Sequence, residues 1–179
     1  ASKDFSRKRL RCGPENRFVE PSIKEVFLLQ QDKQKEVKMF PLEQQKVTII
    51  RPSEIGTDVK YEPPLQIGFG INDETVGDAN AVMGRTVLPP GAAPDPTHYH
   101  SNNNVCWHII SGKINLWYAR SDMSHRKDLV LEPGDFVFIP AGTIHVISNA
   151  LQDENSELVF CYIGVGNTDA ADTVWMDEK

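Results

Sequence analysis

The amino-acid sequence predicts an all-β fold, a sandwich or barrel built from many short strands. From residue 65 onward, short apolar or alternating segments follow one another closely, separated by turn clusters such as Pro89-Pro90-Gly91 and Pro133-Gly134. The same region has almost no segment with the 3.6-residue period of a helix. A chain of 179 residues suits a single core, and no internal repeat divides it.

The N-terminal part of the chain has a weaker pattern. Apolar residues between Ile23 and Val37 form only a broken helical stripe, whereas the β-branched segment Val47–Ile50 predicts a strand. The N-terminal segment could pack on the β domain or supply a strand to a neighbouring subunit. The predicted organisation is an N-terminal extension at 1–60, a β domain at 61–168 and a C-terminal tail at 169–179.

Nine strands are predicted after Pro63-Pro64, a pair of prolines that interrupts regular secondary structure. In the first, Leu65–Ile71, apolar residues alternate with Gln, Gly and Gly, as in a half-buried strand. An acidic turn region follows at 72–80. The other predicted strands are 82–88, 98–100, 105–110, 113–119, 128–131, 135–139, 145–148 and 158–165.

Charge and cysteine usage limit the classes of partner. A net charge of −6 gives no reason to expect binding to nucleic acid or to an anionic membrane. No apolar run approaches the roughly 20 residues of a membrane span, and no signal peptide is recognised. Three cysteines form an odd set without metal-ligand spacing, which favours a reducing, cytoplasmic setting.

Three histidines are candidate metal ligands. His98 and His100 are separated by one residue, so in a strand their side chains point to the same face. His145 begins a strand directly after a Pro-Ala-Gly-Thr-Ile turn. Each alone could be a polar residue at a barrel mouth, but together they indicate one metal site, because neutral imidazole is the commonest metal ligand.

The other two histidines have different surroundings. His108 alternates in sequence with Val105, Trp107 and Ile109, so in a strand its side chain points to the opposite face. If those three residues line the interior, a structural role is expected for His108. His125 lies in a polar connection between strands, and we expect it to be exposed and uninvolved.

The spacing around His145 resembles a known signature. The second motif of the cupin superfamily reads G-x5-P-x-G-x2-H-x3-N, and it is matched at every defined position. The matching residues are Gly134, Pro140, Gly142, His145 and Asn149.

The first cupin motif, roughly G-x5-H-x-H-x3–4-E-x6-G, is matched in part. His98, His100 and Gly112 fit it, whereas Gly91 lies one residue too far upstream. The position where the family usually has a metal-binding Glu holds Val105. The resemblance covers about residues 80 to 165 and implies a cupin-type double-stranded β-helix, that is, a jelly-roll barrel.

The resemblance also implies a divalent metal at the three histidines, with Fe(II) favoured and Mn, Zn or Ni as alternatives. Without the Glu, three neutral ligands leave the ion its full charge and several open positions, which suits anionic chelating substrates and O2. The ligand set is similar to that of three-His cupin dioxygenases. Asn104, one residue from the Glu position, could be a weak oxygen ligand; the alternative is a loop turn.

The pocket expected around the metal is apolar, which favours a small aromatic or hydrophobic substrate. Its expected lining residues are Val105, Trp107, Ile109, Phe136 and Phe138. The favoured function is a non-haem Fe(II) dioxygenase that cleaves a small enolisable or phenolic compound. The alternatives are a Lewis-acid isomerase, lyase or cyclase, and a non-catalytic binding cupin. We also expect a homodimer or homotetramer, because an open barrel leaves strand edges to cover.

Overall fold

The computed structural model describes residues 47–176 of the chain, and within them it is nearly all β. A one-turn α-helix at Asp73–Val76 and two short 3-10 turns are the helical segments of this range. The strands, in chain order, are β1 (Gln66–Ile71), β2 (Ala81–Leu88), β3 (His98–His100), β4 (Asn104–Ser111), β5 (Ile114–Ala119), β6 (Lys127–Leu131), β7 (Phe136–Ile139), β8 (Ile144–Asn149), β9 (Ser156–Ile163) and β10 (Thr173–Trp175).

The strands form two five-stranded antiparallel sheets. Sheet A has the order β1-β2-β9-β4-β7, and sheet B has the order β10-β3-β8-β5-β6. The chain crosses repeatedly from one sheet to the other, so that β4 pairs with β9 in sheet A and β3 pairs with β8 in sheet B. This arrangement confirms the prediction of an all-β jelly-roll barrel.

One hydrophobic core joins the two sheets. Residues on alternate positions of the strands point inward, and the core contains Val82, Ile109 and Leu158 from sheet A with Ile114 and Ile147 from sheet B. Each of these side chains is at most 4% exposed. Burying one such aliphatic side chain contributes roughly 1.5–3 kcal/mol, so the core can hold both sheets in a fixed register.

The turn residues of the two motifs support the end of the barrel away from the histidines. Gly112 has a φ of +76° between β4 and β5, a conformation that favours glycine. The buried Asn149 amide donates to the carbonyls of Leu88 (2.9 Å) and Glu154 (2.7 Å). Ser156 Oγ lies 2.7 Å from Asn149 Oδ1 and accepts from the Lys113 N–H at 2.9 Å. The motif Asn therefore fixes loops and does not contact the histidines.

The observed elements correct three local predictions. Val47–Ile50 is β-branched but forms no strand, and its side chains are mostly exposed. The region predicted as a turn contains the helix Asp73–Val76, begun by a cap in which Asn72 Oδ1 accepts from the Thr75 N–H. Residues Thr173–Trp175, placed in the C-terminal tail by the sequence, form β10. The broken helical stripe at Ile23–Val37 lies outside the described residues.

The helical segments of residues 47–176 are short and polar. None of them is long and apolar enough to cross a membrane.

Candidate metal centre

The strand pair β3–β8 brings the three candidate histidines together. His98 and His100 point inward from β3, and both are buried, whereas Tyr99 between them faces the other side. His145 on β8 is the direct cross-strand partner of His98. The ring centroids lie 4.5 Å apart for His98 and His145, 5.2 Å for His98 and His100, and 5.4 Å for His100 and His145.

Backbone carbonyls orient two of these rings. His98 Nδ1 lies 2.8 Å from the Pro96 carbonyl oxygen, and His145 Nδ1 lies 2.9 Å from that of Thr143. A carbonyl can only accept, so Nδ1 carries a proton in both rings. The same arrangement orients metal-binding histidines in general.

The third ring is oriented by the C-terminal strand. His100 Nδ1 lies 3.0 Å from Thr173 Oγ1 on β10, and the Tyr61 hydroxyl lies 2.9 Å from the same Thr173 oxygen. β10 pairs with β3 in a register that places Thr173 opposite His100 and Trp175 opposite His98. The segment that the sequence assigned to a tail thus completes the support of the cluster.

Burial keeps two of the three imidazoles uncharged. Burial and then the nearby His98 lower the pKa of His100 to about 3. Burial, followed by His98 and His100, lowers the pKa of His145 well below its usual range. Neutral rings are the form that binds a metal, so burial prepares these two for ligation near neutral pH.

A narrow cavity in the barrel opens onto the three rings. Its walls include Trp107, whose ring centroid lies 5.6 Å from that of His145, together with Ile67 and Phe160. Thr86 and Tyr162 add hydroxyl groups. The cavity wall is thus mixed, and not apolar throughout as the sequence predicted, and the narrow space suits a small ligand.

Two buried carboxylates lie beside His98. Glu62, which precedes β1, is 8% exposed, and its Oε1 is 3.6 Å from His98 Nε2. Asp95 is 4% exposed, and its Oδ2 is 3.8 Å from His98 Nδ1. Burial raises the pKa of Glu62 and raises that of Asp95 well above its usual range.

Each carboxylate has one specific hydrogen-bond donor. The Tyr162 hydroxyl donates to Glu62 Oε1 at 3.3 Å, and the Ile147 N–H donates to Asp95 Oδ1 at 2.6 Å. Burial, and then the Glu62 charge, raise the pKa of Tyr162 well above its usual range, so this hydroxyl stays protonated. None of the cavity-lining residues in the described part of the chain is Lys or Arg.

These residues fit a divalent metal ion. The potential ligand atoms of His98, His100 and His145 all lie within 4.8 Å of one another. Three imidazoles with buried carboxylates beside them form a donor set that suits a cation, since buried charges in proteins are paired or coordinate metals. The sequence identified the three histidines, and the structure brings them together.

Several predicted pocket residues lie elsewhere. Phe136 and Phe138 are 81% and 59% exposed on the outer face of sheet A, because the inward positions of β7 are Val137 and Ile139. This part of the prediction is wrong. Val105 and Ile109 do point inward, but both pack in the hydrophobic core and do not line the cavity. Of the five predicted lining residues, only Trp107 lines it.

The remaining polar candidates stay outside the site. Asn104 is exposed, and its Oδ1 accepts the Ala141 N–H at 3.1 Å, so it closes a turn and does not face the histidines. His108 stacks on Phe136 on the outer face of sheet A, with ring centroids 4.3 Å apart. His125 is exposed in the loop between β5 and β6.

Four further residues at the site were not predicted from the sequence: Glu62, Asp95, Tyr162 and Thr173. Asp95 stands between two prolines just before β3, and Glu62 stands just before Pro63-Pro64, so each is a carboxylate in a stiff connection. That signal is too general to assign a site. Tyr162 and Thr173 have no local signal, because their roles come from the pairing of β9 with β4 and of β10 with β3.

The fold and the site define a jelly-roll β-barrel protein with a candidate centre for a divalent metal. Residues 84–162 match the family model of the cupin domain. This part of the chain is therefore a cupin domain.

Solved cupin-fold structures resemble the chain at low sequence identity. One is Bacillus subtilis oxalate decarboxylase, described with Mn(II) centres, at a TM-score of 0.53 and 18% identity over 63% of this chain and 28% of that one. Another is the polyketide cyclase RemF from Streptomyces resistomycificus, at a TM-score of 0.52 and 14% identity over 65% of this chain and 79% of that one.

A third similar structure is Drosophila melanogaster CENP-C bound to CAL1, with a TM-score of 0.52 and 18% identity over 63% of this chain and 85% of that one. At these identities the likeness concerns the fold alone, and the chain spans less than a third of the oxalate decarboxylase. No curated protein sequence matches the chain.

Proposed function

We propose that this cupin domain is a mononuclear metal-dependent enzyme in which His98, His100 and His145 hold a divalent ion. One observation carries the proposal: three buried rings converge with their Nδ1 atoms already hydrogen-bonded, two of them to backbone carbonyls. A cluster that served only packing would not need three polar rings, each oriented by a separate partner. The oxalate decarboxylase of similar fold has Mn(II) centres, which supports a divalent ion here as well.

Within this class, we favour a non-haem Fe(II) dioxygenase that cleaves a small enolisable or phenolic compound. Bound Fe(II) would supply redox chemistry toward O2 and a Lewis acid for the deprotonated substrate. The three histidines leave room for small ligands, and Trp107, Ile67 and Phe160 exclude water from the reacting groups. The narrow cavity favours a substrate of few atoms.

Protein purified without O2 and analysed for metals tests the proposal. We expect iron, and O2 consumption equal to substrate consumption when β-diketones, hydroxyacetophenones, dihydroxylated aromatics or small thiols are offered. Replacement of iron by Zn(II) should abolish turnover, because Zn(II) has no redox chemistry. Product formed under strict anaerobiosis, or equal activity of the Zn(II) or Mn(II) form, would contradict the dioxygenase.

A Lewis-acid isomerase, lyase or cyclase is the second candidate, and a specific observation favours it. Glu62 and the Tyr162 hydroxyl that donates to it lie in the cavity beside His98, where they can hold a proton for transfer to or from a substrate. Such an enzyme would work anaerobically with Zn(II), Mn(II) or Ni(II). The same set of reconstituted proteins therefore separates the two candidates.

A non-catalytic cupin is the third candidate. It is supported by the similar fold of CENP-C, which has been solved bound to CAL1. A full-length chain that retains no divalent metal after purification and does not bind added Mn(II), Zn(II) or Fe(II) would favour this candidate over both enzymes.

A further inference from the structure

Two cysteines face each other in the interior of sheet A. Cys106 on β4 and Cys161 on β9 are direct cross-strand partners in the antiparallel register. Both are free and half-buried, and both lie on the outer face of the sheet, because the neighbouring Trp107 and Tyr162 are buried on its inner face. The two thiols therefore lie side by side, outside the cavity onto which the histidines open.

The backbone holds this pair at a separation that a disulfide can span. Directly opposite residues of antiparallel strands have Cα atoms about 4.5 or about 5.5 Å apart. Disulfide-bonded cysteines have Cα atoms about 4.4–6.8 Å apart, so either kind of cross-strand pair lies within the range. Opposite residues also hold their side chains on the same face of the sheet. A bond between Cys106 and Cys161 therefore needs no change of strand register.

The surroundings of the pair favour thiol chemistry over metal binding. Among residues 47–176, neither cysteine belongs to a cluster of three potential metal ligands. The two thiols are close enough to affect each other, since burial, and then the nearby Cys106, raise the pKa of Cys161. Two half-exposed thiols without a third ligand are suited to disulfide exchange, in which one thiol can displace a group attached to the other.

The cysteine pair is connected to the cavity wall through the backbone. On β4, Cys106 precedes Trp107, and on β9, Cys161 lies between Phe160 and Tyr162. Those three aromatic side chains line the cavity from the inner face of sheet A. A bond between the cysteines would fix the spacing of β4 and β9, which are neighbours in the sheet. Oxidation of the pair would therefore act on the strands that form this wall.

We propose that Cys106 and Cys161 are a redox modification site that forms a reversible cross-strand disulfide. The oxidant is a small disulfide such as oxidised glutathione. One cysteine loses its proton and attacks a sulfur of the oxidant, which releases one glutathione thiolate; the other then loses its proton, attacks the mixed disulfide and releases the second. The two thiolates take up the two protons, so the cysteines lose two electrons and the oxidant gains them. This modification does not depend on the proposed metal centre.

Treatment of the full chain with oxidised glutathione tests the pair. Cys12→Ser removes the third cysteine, which lies outside the described residues. In this background we expect non-reducing peptide maps to show Cys106 joined to Cys161 within one chain, and dithiothreitol to restore both thiols to alkylation. Cys106→Ser and Cys161→Ser are matched controls. In each of them attached glutathione should exceed its level in the two-cysteine protein by more than about tenfold, because no second thiol displaces it.

Phe138→Lys in the same background guards against a face that a second copy of the chain covers. Phe138 is the cross-strand partner of Cys106 on β7 and is exposed, so a charge there would keep a second copy away. A bond between Cys106 and Cys161 within one chain of either protein supports the proposal. Unoxidised thiols in both proteins, stable glutathione adducts on both cysteines, or a disulfide that joins two chains in place of the one within a chain would overturn it.

Discussion

His98 on β3 and His145 on β8 are direct cross-strand partners, and their ring centroids lie 4.5 Å apart. Neighbouring residues on adjacent antiparallel strands hold their side chains on the same face of a sheet. Two candidate ligands from distant parts of the sequence are therefore held by the sheet itself, and His100 joins them two residues further along β3. This rigidity suits a metal centre, whose ligands must keep a fixed geometry.

The first prediction concerns the ligands. His98→Ala, His100→Ala and His145→Ala should each lower the affinity for a divalent metal by more than about tenfold, because each removes one of the converging donors. His108→Ala and His125→Ala are matched controls on the outer face and in a loop, and they should bind as the wild type does. Metal content and calorimetric affinity are the measurements; unchanged affinity in any of the first three excludes that residue.

The second prediction concerns acid stability of the metal-free protein. The pKa of His100 is about 3 when folded, against about 6.5 in an unfolded chain, so below pH 6.5 the unfolded state binds a proton that the folded state does not. Stability is then lost as the pH falls. Between pH 6.5 and pH 5, His100 lowers the free energy of unfolding by about 2 kcal/mol.

Urea unfolding of the EDTA-treated wild type and of His100→Gln at both pH values measures this contribution. Glu62 and Asp95 have raised pKa values and so act in the opposite direction, since their contribution to stability is lost as the pH rises through those values. They are present in both proteins, so the comparison reports His100 together with its effect on the pKa of His145. An equal pH dependence in the two proteins would contradict the prediction.

The third prediction concerns the motif position without a carboxylate. Val105 is 1% exposed and faces Ile139 and Tyr162 on the neighbouring strands. Val105→Glu should lower the free energy of unfolding by about 3 kcal/mol or more, because it buries an unpaired charge in the core. Denaturant unfolding measures the change, with Val105→Ile as the control for added volume. A stable Val105→Glu protein with tighter metal binding would show that the side chain reaches the ion.

The fourth prediction concerns the support supplied by β10. Thr173→Val keeps the side-chain shape but removes the oxygen that lies 3.0 Å from His100 Nδ1. We expect roughly tenfold weaker metal binding, since partners that orient a metal ligand are worth about 10–100-fold in affinity. Thr143→Val is the control, because the backbone carbonyl of Thr143 is what contacts His145. Equal affinity in both variants would mean that β10 does not orient His100.

The fifth prediction concerns assembly. Phe136 and Phe138 stand exposed on β7, which has no partner on one side within the described sheet, and Met83 and Ile163 are also exposed on the outer face of sheet A. We expect a second copy of the chain to cover this face. Light scattering should show a dimer for the wild type and a smaller species for Phe138→Lys. A wild-type monomer at micromolar concentration would contradict this prediction.

Much of the fold could be predicted because its signals are local. Alternation of apolar and polar residues marked β1, and β-branched runs between Pro and Gly turns marked the later strands within one or two residues. The His-x-His spacing placed His98 and His100 on one face, and the Pro-x-Gly turn placed His145 at the start of β8. These features depend on residues close in sequence, so the sequence alone determined them.

Tertiary structure decided which face of each strand points inward and what completes the site. Phe136 and Phe138 alternate with Val137 and Ile139, and either pair could have faced the core until the pairing of β7 with β4 oriented them. Glu62 reaches His98 only because antiparallel pairing and packing bring the segment before β1 against β3. A contact between residues so far apart in sequence has no local pattern, since it depends on the pairing and packing of strands that are distant in sequence.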